Sequence, residues 1–179
     1  MKSKNIKSKI KEYFMENPTE KLRVRQIERK LKVPLPSVIR YTKELEQEHI
    51  LQKEQIANIT LFCADRNSKE FLREKTFFNI IFIHKSGLID YLIKEFGNPT
   101  IVLFGSYSRG EDTESSDIDI YIESSSKQKP NSTKYKKILK KEIQLFIYSN
   151  IKKVPNPHLA NNIINGIKLN GFIEVFDEK

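Results

Sequence analysis

Apolar residues recur at helical spacing through the first third of the chain. Ile6, Ile10, Tyr13 and Phe14 stand at i, i+4, i+7 and i+8, one stripe of a helix that Asn17-Pro18 ends. Val24, Ile27 and Leu31 predict a short second helix. Val33-Pro34-Leu35-Pro36-Ser37 forces a turn, and Pro36 suits the first turn of a third helix lined by Val38, Tyr41, Thr42 and Leu45. Ile50 to Lys53 and Ile59 to Phe62 are β-prone runs around the polar turn Glu54 to Asn58, which predicts a hairpin. After the polar break Arg66-Asn67-Ser68, a helix is predicted over 68–84, with much of its circumference apolar. A shorter one carries Leu88, Tyr91, Leu92 and Phe96 and stops at Gly97-Asn98-Pro99.

From Thr100 onward the period shortens. TIVLF (100–104) reads as a strand, Asp117 to Ile122 as a second, and EIQLFIY (142–148) as a third. Residues 124–134 form a polar loop and 135–140 a short helix. A helix from His158 to about Leu169 and a closing strand over Phe172 to Phe176 complete the prediction. The fold class is α+β: a small mixed sheet with helices packed on one face, behind an all-helical start with a hairpin. The expected division is 1–66, 67–97 as linking helices, and 98–179.

Composition narrows the setting. Apolar residues at 38% and charged residues at 31% suit a globular chain. No apolar run reaches the roughly 18–20 residues of a membrane span. The N-terminal residues lack the apolar centre of a secretory signal. Cys63 is the single cysteine, so no internal disulfide forms, and His49, His84 and His158 show no ligand spacing. A cytoplasmic, reduced setting is expected. Net charge is +9, and residues 1–66 hold 15 Lys/Arg against 9 Asp/Glu, so the positive excess lies mostly at the front.

The segment VRQIERKLKVPLPSVIRYTKELEQEHILQKE, three helices and then a hairpin, resembles the winged helix-turn-helix family. The glycine that commonly precedes the wing is replaced by His49. The resemblance implies double-stranded DNA as a partner. Ser37, Arg40, Tyr41 and Lys43 would sit on the recognition helix and Lys53 in the wing. Winged helices also serve as dimerisation and protein-contact modules.

Chemistry concentrates in LFGSYSRGEDTESSDIDIYIE, 103–123. Asp117 and Asp119 are two apart on a strand, so both point to one face, with Cα atoms about 6–7 Å apart. Paired carboxylates at that spacing repel unless a cation sits between them, and hard oxygen ligands suit Mg²⁺ held jointly with phosphate oxygens. A two-metal phosphoryl-transfer site uses this arrangement. Gly105 lets backbone approach a phosphate closely, Ser106 adds a hydroxyl donor, and Arg109 presents a fork for phosphate oxygens.

The pattern hhhGSYSRGxxxxxSDIDIhI resembles the minimal nucleotidyltransferases of the DNA polymerase β superfamily, over roughly residues 70–179. That resemblance implies that Gly105 and Ser106 hold a nucleoside triphosphate and that Asp117 and Asp119 hold two Mg²⁺. A third carboxylate on the next strand would complete the site, and a hydroxyl acceptor would displace pyrophosphate from the α-phosphate. The third position here is Gln144. Glu142, one β-repeat earlier on the same face, is the candidate substitute. By the same resemblance the acceptor can be a partner protein of the HEPN type, a small molecule or an RNA end. The alternative is a DNA-binding regulator whose degenerate transferase domain binds a nucleotide or dimerises. A homodimer through a flanking helix such as 68–84 fits either reading.

Overall fold

The computed structural model describes residues 5–176 apart from Lys127 and Lys129. Residues 1–4 and 177–179, the outer ends of the expected domains, lie outside the described residues, as do two positions of the expected polar loop. Contacts divide the chain into two units, Met1–Phe78 and Asn79–Lys179.

In the first unit, α1 (Ile6–Glu16) starts where the Asn5 side chain accepts from the Lys7 backbone N–H at 3.1 Å. Helix α2 (Val24–Leu31) ends at Lys32, whose left-handed backbone closes the last turn. Helix α3 (Leu35–Gln47) begins after Pro34, with Pro36 in its first turn. Strands β1 (Leu51–Ile56) and β2 (Ile59–Ala64) pair antiparallel around the turn Ala57-Asn58. Leu22 bridges to Phe62, so the segment before α2 is tied to the hairpin. Ile10, Phe14, Ile27, Val38, Leu45 and Leu51 form a common core. His49 takes a left-handed φ of 54°, the conformation that a glycine before the hairpin would adopt without strain.

The second unit contains the C-terminal turns of α4 (Lys69–Lys85) and α5 (Leu88–Phe96), which Gly87 and Gly97 flank in left-handed conformations. The chain continues through β3 (Thr100–Phe104), α6 (Gly105–Arg109), β4 (Ile118–Glu123), α7 (Thr133–Leu139) and β5 (Ile143–Tyr148). A 3-10 turn (Ile151–Lys153), α8 (Pro157–Ile164) and β6 (Ile167–Asn170) follow. Among the described residues the strands form one sheet in the order β5-β4-β3-β6. The β4–β5 pair is parallel and the other pairs are antiparallel. The protein is therefore a mixed α+β molecule. No helix among the described residues is long and apolar enough to cross a membrane.

Two expectations are corrected. Helices cover both faces of the sheet, not one. Ile101, Leu103, Ile118 and Ile120 pack with Leu88 and Leu92 of α5 on one side. On the other, Val102, Phe104 and Tyr121 pack with Ile151, Val154 and Ile163. TIVLF is apolar at every position after its threonine, so each face of β3 needs a cover. The second correction lies at the C-terminus. The helix expected over 158–169 stops at Ile164, and the closing strand is Ile167–Asn170 rather than 172–176. A Cβ at Gly166 would stand 2.6 Å from the Leu103 carbonyl oxygen, so only glycine lets the chain turn from α8 directly onto β3. Phe172 and Phe176 then lie past the sheet, 63% and 87% exposed.

Candidate active site

Strand pairing assembles the site. Phe104, the last residue of β3, lies opposite Asp119, and Asp119 lies opposite Gln144 of β5. The turn from β3 into α6, the aspartate strand and the third strand thus meet at one end of the sheet. Asp117, Asp119 and Tyr121 share the face on which Phe104 and Tyr121 pack.

Gly105 is the point of closest approach. Its φ is +75°, and a Cβ there would stand 2.4 Å from Oδ2 of Asp119. The carboxylate therefore lies against bare backbone where any other residue would displace it. Burial, reinforced by the neighbouring negative charge of Asp117, holds the Asp119 carboxyl above its ordinary pKa of 3.8. A cation between the two carboxylates would remove both penalties.

Asp117 already has a partner. The Gln144 side-chain amide donates to its Oδ2 at 2.5 Å, so the third-strand position contributes a neutral donor. Glu142 is 67% exposed and ion-paired with Lys136. Among the described residues no group of three or more His, Cys, Asp or Glu could hold a metal ion. The donor set is therefore two carboxylates. Mg²⁺ is commonly bound by one or two carboxylates together with substrate phosphates, and Asp117 and Asp119 fit that requirement.

Ser106 is half-buried at the start of α6, next to Gly105. Arg109 points into solvent and pairs with Glu111 at 2.7 Å. An exposed pair of this kind is worth at most about 1 kcal/mol, so it is easily exchanged for a phosphate.

A cleft of about 500 Å³ opens beside Asp117, lined also by Ser115, Lys136, Lys137, Lys141 and Glu142. Its floor depends on residues that sequence reasoning missed. Asn79, fully buried, donates to the Tyr107 carbonyl at 2.8 Å and to Asp112 Oδ1 at 2.6 Å. Asp112 is 1% exposed, and Lys141 Nζ stands 3.3 Å from its Oδ2. Lys141 also donates to the Thr113 carbonyl. This network pins α6 and the 110–116 connection against α4 and the start of β5. An asparagine within the apolar stripe of α4 was the available signal, although its partners are distant in sequence.

The residues proposed to meet DNA lie in the other unit. Ser37 is half-buried in the first turn of α3, and Lys43 is exposed. Arg40 lies over the Tyr41 ring at 4.3 Å, donates to its hydroxyl, and stands 3.5 Å from Glu44. Lys53 pairs with Glu46 at 2.7 Å.

Residues 85–170 match the family model described as nucleotidyltransferase domain. A Methanocaldococcus jannaschii chain whose name assigns it to the protein adenylyltransferases is 38% identical over 88 residues, which span 45% of this chain and 80% of that one. No solved structure matches the chain significantly.

Proposed function

The chain belongs to the nucleotidyltransferase-domain family, and from that premise we propose that it moves a nucleoside monophosphate from an NTP onto a hydroxyl acceptor, with Mg²⁺ as the required ion. The observation that carries the proposal is the Asp119 carboxylate seated against the bare backbone of Gly105, one β-repeat from Asp117. Gly105 and Ser106 hold the triphosphate, and Arg109 turns from Glu111 to its outer oxygens. Asp117 and Asp119 hold the metal, which when bound supplies positive charge to the phosphate oxygens. The acceptor oxygen forms a bond to the α-phosphorus while the bond to the β-bridging oxygen breaks. Pyrophosphate leaves, and the hydroxyl proton passes to Glu142 at the cleft beside Asp117. The Methanocaldococcus jannaschii relative's name supports a protein hydroxyl as acceptor, and the family resemblance suggests a HEPN-type partner.

The test is incubation with labelled ATP, GTP, CTP and UTP, Mg²⁺ and cell extract. Label on a protein, absent with Asp119→Asn, supports the proposal. Label on RNA or a small molecule redirects the acceptor. Bound NTP with no transferred label would sink the enzyme reading.

One observation favours a second reading. Gln144 supplies a donor to Asp117 where a third carboxylate is expected. A site of this kind can hold a nucleotide without transferring it, and the protein would then be a nucleotide-responsive regulator.

Under either reading, residues 1–66 form a winged helix-turn-helix that binds double-stranded DNA, 67–97 link, and 98–179 form the transferase domain. Support for the first part comes from the order of three helices and an antiparallel hairpin, and from the left-handed His49 before β1. Ser37, Arg40, Tyr41, Lys43 and Lys53 are the contacts that the fold resemblance nominates.

A further inference from the structure

Several cations of the first unit are matched by a carboxylate: Lys7 by Glu48 at 2.6 Å, Lys21 by Glu54 at 2.6 Å, Lys30 by Glu20 at 2.5 Å. Of the cations nominated for DNA contact, Arg40 and Lys53 are matched by Glu44 and Glu46, and exposed Lys43 makes no ion pair among the described residues. Arg23, Arg25 and Arg29 are exposed and make no ion pair among the described residues. These three line one cleft of about 450 Å³ between α2 and the hairpin, with Gln26, Asn58 and Thr60. No carboxylate lines it.

The chemistry of this cleft is specific. Arg25 and Arg29 lie one turn apart on α2, roughly 5–6 Å between Cβ atoms. Guanidinium forks bind phosphate oxygens in pairs, and neutral amide and hydroxyl donors such as Gln26, Asn58 and Thr60 suit phosphate and sugar oxygens. Uncompensated cations lining a cleft raise the local potential for a polyanion. An acidic protein partner is disfavoured, because protein interfaces centre on aromatic or large apolar anchors and this cleft offers only half-buried Val24 and Ile59.

The geometry points to this α2–hairpin cleft, with Arg23, Arg25 and Arg29, as a site that grips the phosphate backbone of duplex nucleic acid, beside the contacts nominated on α3 and the hairpin. The inference rests on reading residues 1–66 as a DNA-binding module.

The experiment is fluorescence anisotropy of the full chain with a labelled DNA duplex of mixed sequence, titrated over a range of KCl concentrations. Each lost phosphate contact flattens the log Kd against log salt slope by about 0.9. Arg25→Ala/Arg29→Ala should flatten it by about 1.8 and weaken binding on the order of 50-fold at about 0.1 M salt. Arg25→Lys/Arg29→Lys should keep the slope. Unfolding curves of each variant separate lost contacts from lost fold. An unchanged slope in the double alanine variant overturns the assignment of the cleft. No duplex binding by the wild-type chain at low salt overturns the DNA-binding reading itself.

Discussion

Replacing Gly105 by alanine separates two effects that the structure combines at one position. Gly105 has a φ of +75°, so alanine there takes a left-handed backbone at about 1–2 kcal/mol. Alanine also narrows the unfolded ensemble but cannot recover that strain, leaving a net loss near 1 kcal/mol. The new Cβ would meet Asp119 Oδ2 at 2.4 Å, well inside the roughly 3.5 Å of ordinary contact, so the carboxylate must move by about 1 Å. A misplacement of that size at a reacting centre costs on the order of 100-fold in rate. Gly97 supplies the matched control. Its φ is +68°, and a Cβ there meets nothing within 4 Å. Gly97→Ala should lower Tm by roughly 2–4 °C and leave transfer intact. Gly105→Ala should lose similar stability and nearly all transfer, measured as kcat/KM with labelled NTP. Wild-type transfer by Gly105→Ala would refute the placement of Asp119 as a metal ligand. An equal loss of transfer in Gly97→Ala would show that backbone strain, rather than contact with Asp119, decides the rate.

Three further outcomes follow from the same geometry. Glu142→Gln should lower kcat by at least 100-fold if Glu142 takes the acceptor proton, and unaltered turnover removes it from the site. Asn79→Ala leaves Asp112 and the Tyr107 carbonyl without their buried donor, a loss on the order of 3 kcal/mol in urea unfolding; a loss below about 1 kcal/mol would mean that the network does not hold α6. The pH dependence of Asp119 has a defined sign. Its pKa is raised by burial and by Asp117, so the folded form binds the proton more tightly than the unfolded chain. Stability from this group is therefore present in acid and is lost as pH rises from 3.8 through the raised value. Thermal melts across the acidic range should show that decline in the wild type, and its reduction in Asp119→Asn or with added Mg²⁺; an identical profile in the variant would contradict the assigned sign.

The helices up to Phe96 and the first three strands of the second unit were legible because each buries a stripe whose spacing is written locally. That Asp117 and Asp119 share one face followed from β alternation, which is short-range, whereas the approach of Asp119 to Gly105 came from the pairing of β3 with β4. The closing strand was not legible. Ile163, Ile164 and Ile167 keep helical spacing past Asn165, and only contact of Gly166 with β3 makes the chain turn there. The cover on the second face of the sheet was likewise invisible, since an apolar strand does not state how many sides are packed.

Side-chain partners divided most sharply. The resemblance to winged helices nominated Arg40, Lys43 and Lys53 as cations for DNA, and the sequence shows Arg23, Arg25 and Arg29 equally. Glu44 stands one helical turn from Arg40, a local pair, whereas the fold brings Glu46 to Lys53 and no carboxylate into the cleft of Arg23, Arg25 and Arg29. Sequence by itself determined which functional groups are present and which share a strand face, because that depends on residue type and local spacing. Only the tertiary structure decided which of those groups are already occupied, because Gln144 meets Asp117, and Asn79 meets Asp112, across distances in the chain that no local pattern records.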